Sequence, residues 1–486
     1  MMSKVLCATC VVMLGRTVAA QGSASIAGYA PGTDVAEHSE IDLDQDAMAV
    51  QPTGTDATSG VGGDFAVLTA AYSVGGESVK GSGAIRTLQG FSTGLDSKAC
   101  PGSADANDVS TCIEPMFANQ KAYWGSGSYA DVIVSAALAG TGDYAGKADI
   151  LRKEVAVKTS AYTVAGMYAI HEFEDAIVDC GVTGADTDAG VHAWDEGVAF
   201  YAGSLEGVSA GGNSAGELSY RLAEKRCLNY GTCTGAGEMS LVNQNIMAAA
   251  AAGRDLLTAG DCSGAAAHMD IIKKQMLVPL IQGTLRYAYK ADPALDSPDA
   301  SPEKEIGEGW AFATAILGQV NSCDAAVAAT IRTNMDIAAS TAVADGYAVV
   351  VSALQSTYEC LGITGEDVGG LLTSSGTTYY AGHEGCTGTC AAAQAAQAAR
   401  VSPAVVDCVV TGNTAADCPA ACGVAAATVA TPASGGGAVC SGDYTCTAGD
   451  GDCPVAAPTP PPPAPSSAAT TAISLLAAAV VAVQFV

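Results

Sequence analysis

The sequence predicts an all-α protein, a duplicated helical bundle followed by a small disulfide-rich module. Three observations support this. Segments 148–179, 191–205, 214–227, 241–258, 263–290, 303–320, 324–339 and 341–360 are alanine-rich, hold few β-branched runs, and repeat apolar residues at three- and four-residue intervals. Part of the chain also repeats itself. Asp149-Ile150-Leu151-Arg152-Lys153 returns as Asp270-Ile271-Ile272-Lys273-Lys274, and Glu196-Gly197-Val198-Ala199-Phe200 returns as Glu308-Gly309-Trp310-Ala311-Phe312, at offsets of 121 and 112. Offsets that differ by only a loop's length point to a duplicated unit, about 148–260 and 269–380. The cysteines divide evenly too: apart from Cys7 and Cys10, eight fall at or before Cys360 and eight from Cys386 onward, as two separately bridged regions require.

Taken in order, residues 1–20 have the charged, apolar and small-residue regions of a secretory signal: Lys4, the run 5–14, then Val18-Ala19-Ala20. Residues 21–56 are polar, acidic and rich in Gly and Ala, which predicts a flexible approach to the fold. The body spans 57–380. Loops at 181–190 and 292–301 carry the Gly, Pro, Asp and Ser that stop helices, and Ser301-Pro302-Glu303-Lys304 predicts an N-cap with proline in the first turn. Cys227 and Cys233 enclose five residues and predict a local loop closure.

Residues 381–457 are too poor in large apolar side chains to fold on a core alone, so bridges must hold them, each contributing roughly 2 to 4 kcal/mol. Cys386-x3-Cys390 and Cys418-x3-Cys422 also have zinc-ligand spacing, but a secreted chain favours disulfides. A polyproline stalk follows at 458–465. The uncharged tail 466–486 ends in an apolar run with no basic flank, which fits a cleaved lipid-anchor signal better than a spanning helix. The expected location is the periplasmic space or outer cell surface, with the chain tethered to a membrane at its C-terminus.

A formal charge of -29 repels nucleic acid and anionic membrane surfaces and makes cations the natural partners. His171-Glu172-Phe173-Glu174-Asp175 and His192-Ala193-Trp194-Asp195-Glu196 share one pattern, a histidine followed after two residues by two acids. On a helix, positions i, i+3 and i+4 lie on one face, so each segment can present an imidazole with carboxylates. That donor set suits iron, manganese or zinc. The expected metal ligands are His171, Glu174, His192, Asp195, Glu196 and Glu308, the last two because each sits beside a glycine and an apolar aromatic strip. A solvated face or an ion pair with Arg221 or Arg286 is the plainer account of the same residues. Tyr168 and Tyr289, aligned by the 121 offset, could offer phenolates or pack in the core.

Catalysis finds little support. His171-Glu172 begins like a zinc-peptidase helix, but Asp175 stands where the second histidine belongs. Gly207-Val208-Ser209-Ala210-Gly211 and Gly212-Asn213-Ser214-Ala215-Gly216 lie in a glycine-rich loop without the strand that a nucleophile elbow needs.

The strings His192-Ala193-Trp194-Asp195-Glu196-Gly197-Val198-Ala199-Phe200-Tyr201, Leu218-Ser219-Tyr220-Arg221-Leu222-Ala223-Glu224-Lys225-Arg226-Cys227 and Gly307-Glu308-Gly309-Trp310-Ala311-Phe312 resemble the low-iron-inducible periplasmic proteins of algae, over about residues 55–380. The resemblance implies secretion, induction under iron scarcity and a part in iron assimilation, and it brings no ligand list. The expected function is therefore cell-surface iron binding that assists assimilation, with a membrane transporter or reductase as partner. A metal-dependent surface enzyme, redox or hydrolytic, and a structural or adhesive wall protein are the alternatives.

The tail supplies a test. Phosphatidylinositol-specific phospholipase is expected to release the protein from cells, whereas retention with Val486 still attached marks a spanning tail.

Overall fold

The computed structural model describes residues 24–49, 64–181, 187–235, 239–295, 297 and 301–390, with four short strands beyond them. Helix makes up 64% and strand 3%, which establishes the all-α class. The chain divides into two units, Met1–Gln397 and Ala398–Val486. In the second, Val409–Thr411 pairs antiparallel with Thr428–Thr431, and Val424–Ala425 with Tyr444–Thr445. The signal segment, the stalk and the apolar tail lie outside the described residues.

The approach segment departs from expectation. Residues 24–49 are folded, with α1 (Ala36–Ser39) and α2 (Ile41–Ala49). Ile26, Tyr29, Val35, Ile41 and Met48 are buried in the common core, and burying such side chains outweighs the polarity of the residues between them. Four further helices precede the repeated region: α3 (Phe65–Ser73), α4 (Leu88–Ala99), α5 (Pro115–Trp124) and α6 (Tyr129–Ala139). Their starts obey capping chemistry. The Asp64 side chain accepts from the amides of Ala66 and Val67, Thr87 accepts from Gly90, and Pro115 opens α5.

The long helix of the first half runs from α7 (Asp149–Lys158) through a π-helical stretch, Thr159–Ala165, into α8 (Gly166–Gly181), and α9 (Thr187–Ala202) follows it. Next come α10 (Ser219–Tyr230), a hairpin of Cys233–Thr234 with Met239–Ser240, and α11 (Leu241–Thr258). The second half repeats the order with α12 (Cys262–Ala291) and α13 (Pro302–Cys323), then adds α14 (Ala325–Met335), α15 (Tyr347–Gln355), α16 (Tyr358–Leu361) and α17 (Gly365–Val368). Pro302 opens α13 as expected, although the Ser301 side chain makes no capping bond.

Each half is thus a long helix, a loop and a second helix carrying the shared glutamate. A Cβ on Gly197 would meet the Phe173 ring, and one on Gly309 would meet Met335 and Tyr287, so each glycine lets its helix pack closely on its neighbours.

Helix α13 lies at the centre, against α5, α7, α12 and α14, and is buried from Gly307 to Val320. Gly307 permits its approach to α7, because a Cβ there would stand 2.7 Å from the Leu151 carbonyl oxygen. Disulfides join Cys100 to Cys112, Cys180 to Cys262, Cys227 to Cys233 and Cys323 to Cys360, so the eight cysteines of the body pair among themselves, with the Cys227 loop closed as expected. Cys386 and Cys390 form a disulfide rather than a zinc site. They belong to the body: the Gly365 amide donates to the Gly388 carbonyl, and Cys390 is buried. The first unit therefore extends past the expected boundary at 380.

Two glycine substitutions should move stability in opposite directions. Gly307→Ala, facing backbone that cannot yield, should lose about 1–3 kcal/mol by urea unfolding. Gly94→Ala, mid-helix in α4 with open space at its Cβ position, should gain about 0.4–1 kcal/mol.

Candidate metal centre

The helical period fixes which side chains can meet. On α9, His192 and Glu196 are one turn apart, and His192 Nε2 lies 3.0 Å from Glu196 Oε1. The same oxygen lies 2.9 Å from Nε2 of His38, brought in on α1. The two imidazole rings stand edge to face, 5.4 Å apart. His38, His192 and Glu196 thus each offer a ligand atom, all within 4.8 Å of one another. They line a cavity of about 550 Å³ together with Arg86 and Lys98, and with Tyr168, Glu172 and Asp175 of α8.

The His192 ring is held by a chain of hydrogen bonds. Thr33 Oγ1 donates to Asp195 Oδ2 at 2.8 Å and accepts from His192 Nδ1 at 2.9 Å. The proton then sits on Nδ1, and Nε2 faces the cavity. Metal-binding histidines are commonly oriented in this way through their other nitrogen. Asp195 also accepts from the Tyr29 hydroxyl at 2.5 Å and the Thr33 amide at 2.7 Å.

Charge is distributed unevenly in the cavity. Burial acts to raise the Glu196 carboxyl, but hydrogen bonds from His192 and His38 outweigh it and hold the group near 2. The Glu196 hydrogen bond in turn raises His192 above its ordinary value, against the pull of burial. Glu172 is pushed well up by burial and by the neighbouring Glu196. Arg86 contacts His38 Nε2, so a basic side chain stands among these acids.

A second group lies on α8. Tyr168, His171, Glu172 and Asp175 follow i, i+3, i+4, i+7 spacing, one face of the helix. His171, Glu172 and Asp175 also bring ligand atoms within 4.8 Å of one another. Burial, and then the Lys98 charge, lowers His171 to about 4 and keeps it neutral. Tyr168 stacks on Phe91 at 4.0 Å, which fixes its ring against the cavity wall.

The six expected ligands are divided by the fold. His192 and Glu196 meet, and His171 lies behind the cavity wall in the second group. Glu174 turns to α12, where its Oε1 takes the Lys273 ammonium at 2.5 Å. Asp195 is fully buried and serves as the anchor just described rather than as a ligand beside His192. Glu308 belongs to another cluster, where its partners are lysines rather than Arg221 or Arg286. Burial works against its charge, but the Lys158 and Lys304 charges and a hydrogen bond from Tyr287 keep its carboxyl below the ordinary value. Neighbouring Glu154 is raised to about 7, chiefly by burial, so one carboxyl of the pair holds the proton.

The residues not anticipated are His38, Glu172 and Asp175. His38 was hidden by the polar composition of its segment, although Val35, Ile41 and Met48 around it carry a core signal. Glu172 and Asp175 sit within the quoted motif, and choosing them over Glu174 requires knowing where α12 packs.

The chain belongs to the family described as low iron-inducible periplasmic protein, whose model matches residues 3–403. The match runs beyond the 55–380 of the sequence resemblance and takes in Cys386 and Cys390. No curated protein and no solved structure matches the chain. The family ties the protein to the periplasm and to iron limitation. Among the described residues, no helix is long and apolar enough to cross a membrane.

Asp195→Ala should separate anchoring from ligation. It strands the buried Tyr29 hydroxyl, which costs about 1–3 kcal/mol when unpaired, and removes the carboxylate that the Thr33 amide donates to. Urea unfolding of the metal-free protein should therefore show the loss, and an unchanged midpoint would count against the anchoring role.

Proposed function

We propose, with membership of the low iron-inducible family as the premise, that this chain binds iron in the cavity formed by α1, α4, α8 and α9 and carries it in the first steps of assimilation at the cell surface. The supporting observation is the convergence of His38 Nε2, His192 Nε2 and Glu196 Oε1 within 4.8 Å. Imidazole with carboxylate suits iron, manganese and zinc alike, and the family's tie to iron scarcity selects iron. Iron is here a cargo. Three side-chain donors leave coordination positions open, which suits a metal that must be taken up and given away. A membrane transporter or reductase is the receiver that such a role calls for.

The site chemistry predicts pH dependence. Glu196, held near 2, stays ionised through the neutral and mildly acidic range, so loss of metal on acidification belongs to the histidines. A ligating imidazole must be neutral. Because His192 is raised above its ordinary value of about 6.5, protons should compete with iron from above that pH downward.

Iron titration of the purified secreted protein tests the reading. His192→Ala should weaken binding at least tenfold, about 1.4 kcal/mol, with little change in unfolding of the metal-free protein, because alanine is the better helix former. Wild-type affinity should also fall as pH drops through the His192 titration. An unchanged titration in His192→Ala would overturn the assignment.

A further inference from the structure

We infer that the cavity takes a second cation, bound by His171, Glu172 and Asp175, and that the Lys98 ammonium fills that position in the metal-free protein. The inference rests on the iron reading only for the identity of the cation. It starts from the histidine. His171 is 2% exposed, and its Nδ1 lies 2.5 Å from Oε1 of the buried Glu114. On its other side, Nε2 lies 3.4 Å from Lys98 Nζ. An ammonium only donates, so Nε2 must present its lone pair and Nδ1 must carry the proton given to Glu114. A carboxyl group behind the ring accepting from Nδ1, with the far nitrogen bare toward a cation, is the arrangement that supports a metal-ligating histidine.

The other two donors belong to the same helical face. Glu172 is 4% exposed and Asp175 half-buried, and both line the cavity that also holds His38, His192 and Glu196. Glu172 and Glu196 thus face one cavity with Asp175 beside them. Carboxylates gathered so closely call for positive charge among them. Lys98 supplies it without forming a salt bridge to any carboxylate among the described residues, and its ammonium lies 5.3 Å from the centre of the Tyr168 ring. It stands at an imidazole nitrogen, where a metal would stand. Lys98 is itself an exposed residue on α4, so its flexible stem can swing outward without disturbing the core. The second group therefore offers an imidazole nitrogen already facing a side-chain cation that can move away.

The experiment counts metal equivalents. Metal-free full-length protein is titrated with Fe2+ under anaerobic conditions, and with Co2+ as an optical probe of coordination. The wild type should bind two equivalents. His192→Ala should lose one and keep the other, while Asp175→Asn should weaken the one that His192→Ala retains. Lys98→Met should tighten the second equivalent at least tenfold, which a merely structural lysine would not do. A single equivalent, lost in His192→Ala and unaffected by Lys98→Met, would overturn the second site and leave the iron reading standing. No bound equivalent at all would overturn both.

Discussion

The buried carboxylate of Asp195 is the interaction on which the site depends. It accepts from the Tyr29 hydroxyl, the Thr33 amide and the Thr33 hydroxyl, and these bonds pin the N-terminal segment to α9. A buried carboxylate without such partners would be costly, so once α9 packs into the core the segment must come with it. Farther along, Asp42 continues the attachment by accepting from Ser204 Oγ and the Leu205 amide. The consequence is chemical as well as structural. The pinned segment carries His38 to Glu196, and Thr33 orients His192, so one anchoring residue sets the position of both imidazoles.

Helical phase does the rest. In both histidine motifs the acid at i+4 stays with the imidazole's face, as Asp175 does for His171 and Glu196 for His192. The acid at i+3 goes elsewhere, Glu174 to Lys273 and Asp195 to Tyr29 and Thr33. Residues three and four apart diverge to either side of a helix axis, and the neighbouring elements claim one side each. A carboxylate claimed by a neighbouring lysine or a backbone amide is no longer available to a metal.

The second half shows the same glutamate in different company. Glu308 stands where Glu196 does in the repeat, but Lys304 replaces His192, and the Lys158 charge lies close by. Lysine ammonium groups of the chain itself answer there the charge that a bound cation would answer in the first half. Helices of the same order thus carry two histidines and a carboxylate around a cavity in one half and a glutamate beside lysines in the other.

The sequence by itself determined the helical class, most helix positions, the pairing of the body's cysteines among themselves and the chemistry of the donors, because these follow from local spacing and composition. Helix α11 spans 241–258 in the chain as in the pattern. Family membership was also legible, since long strings carry it. What only the tertiary structure decided was which donors converge. His38 comes from a segment whose polarity resembles a loose tail, and its place depends on bonds to residues more than 150 positions away. Glu172 and Asp175, rather than Glu174, reach the cavity because α12 covers the other side of α8 and supplies Lys273. Periodicity names a helix's faces, but the neighbours that pack against it decide which face remains open.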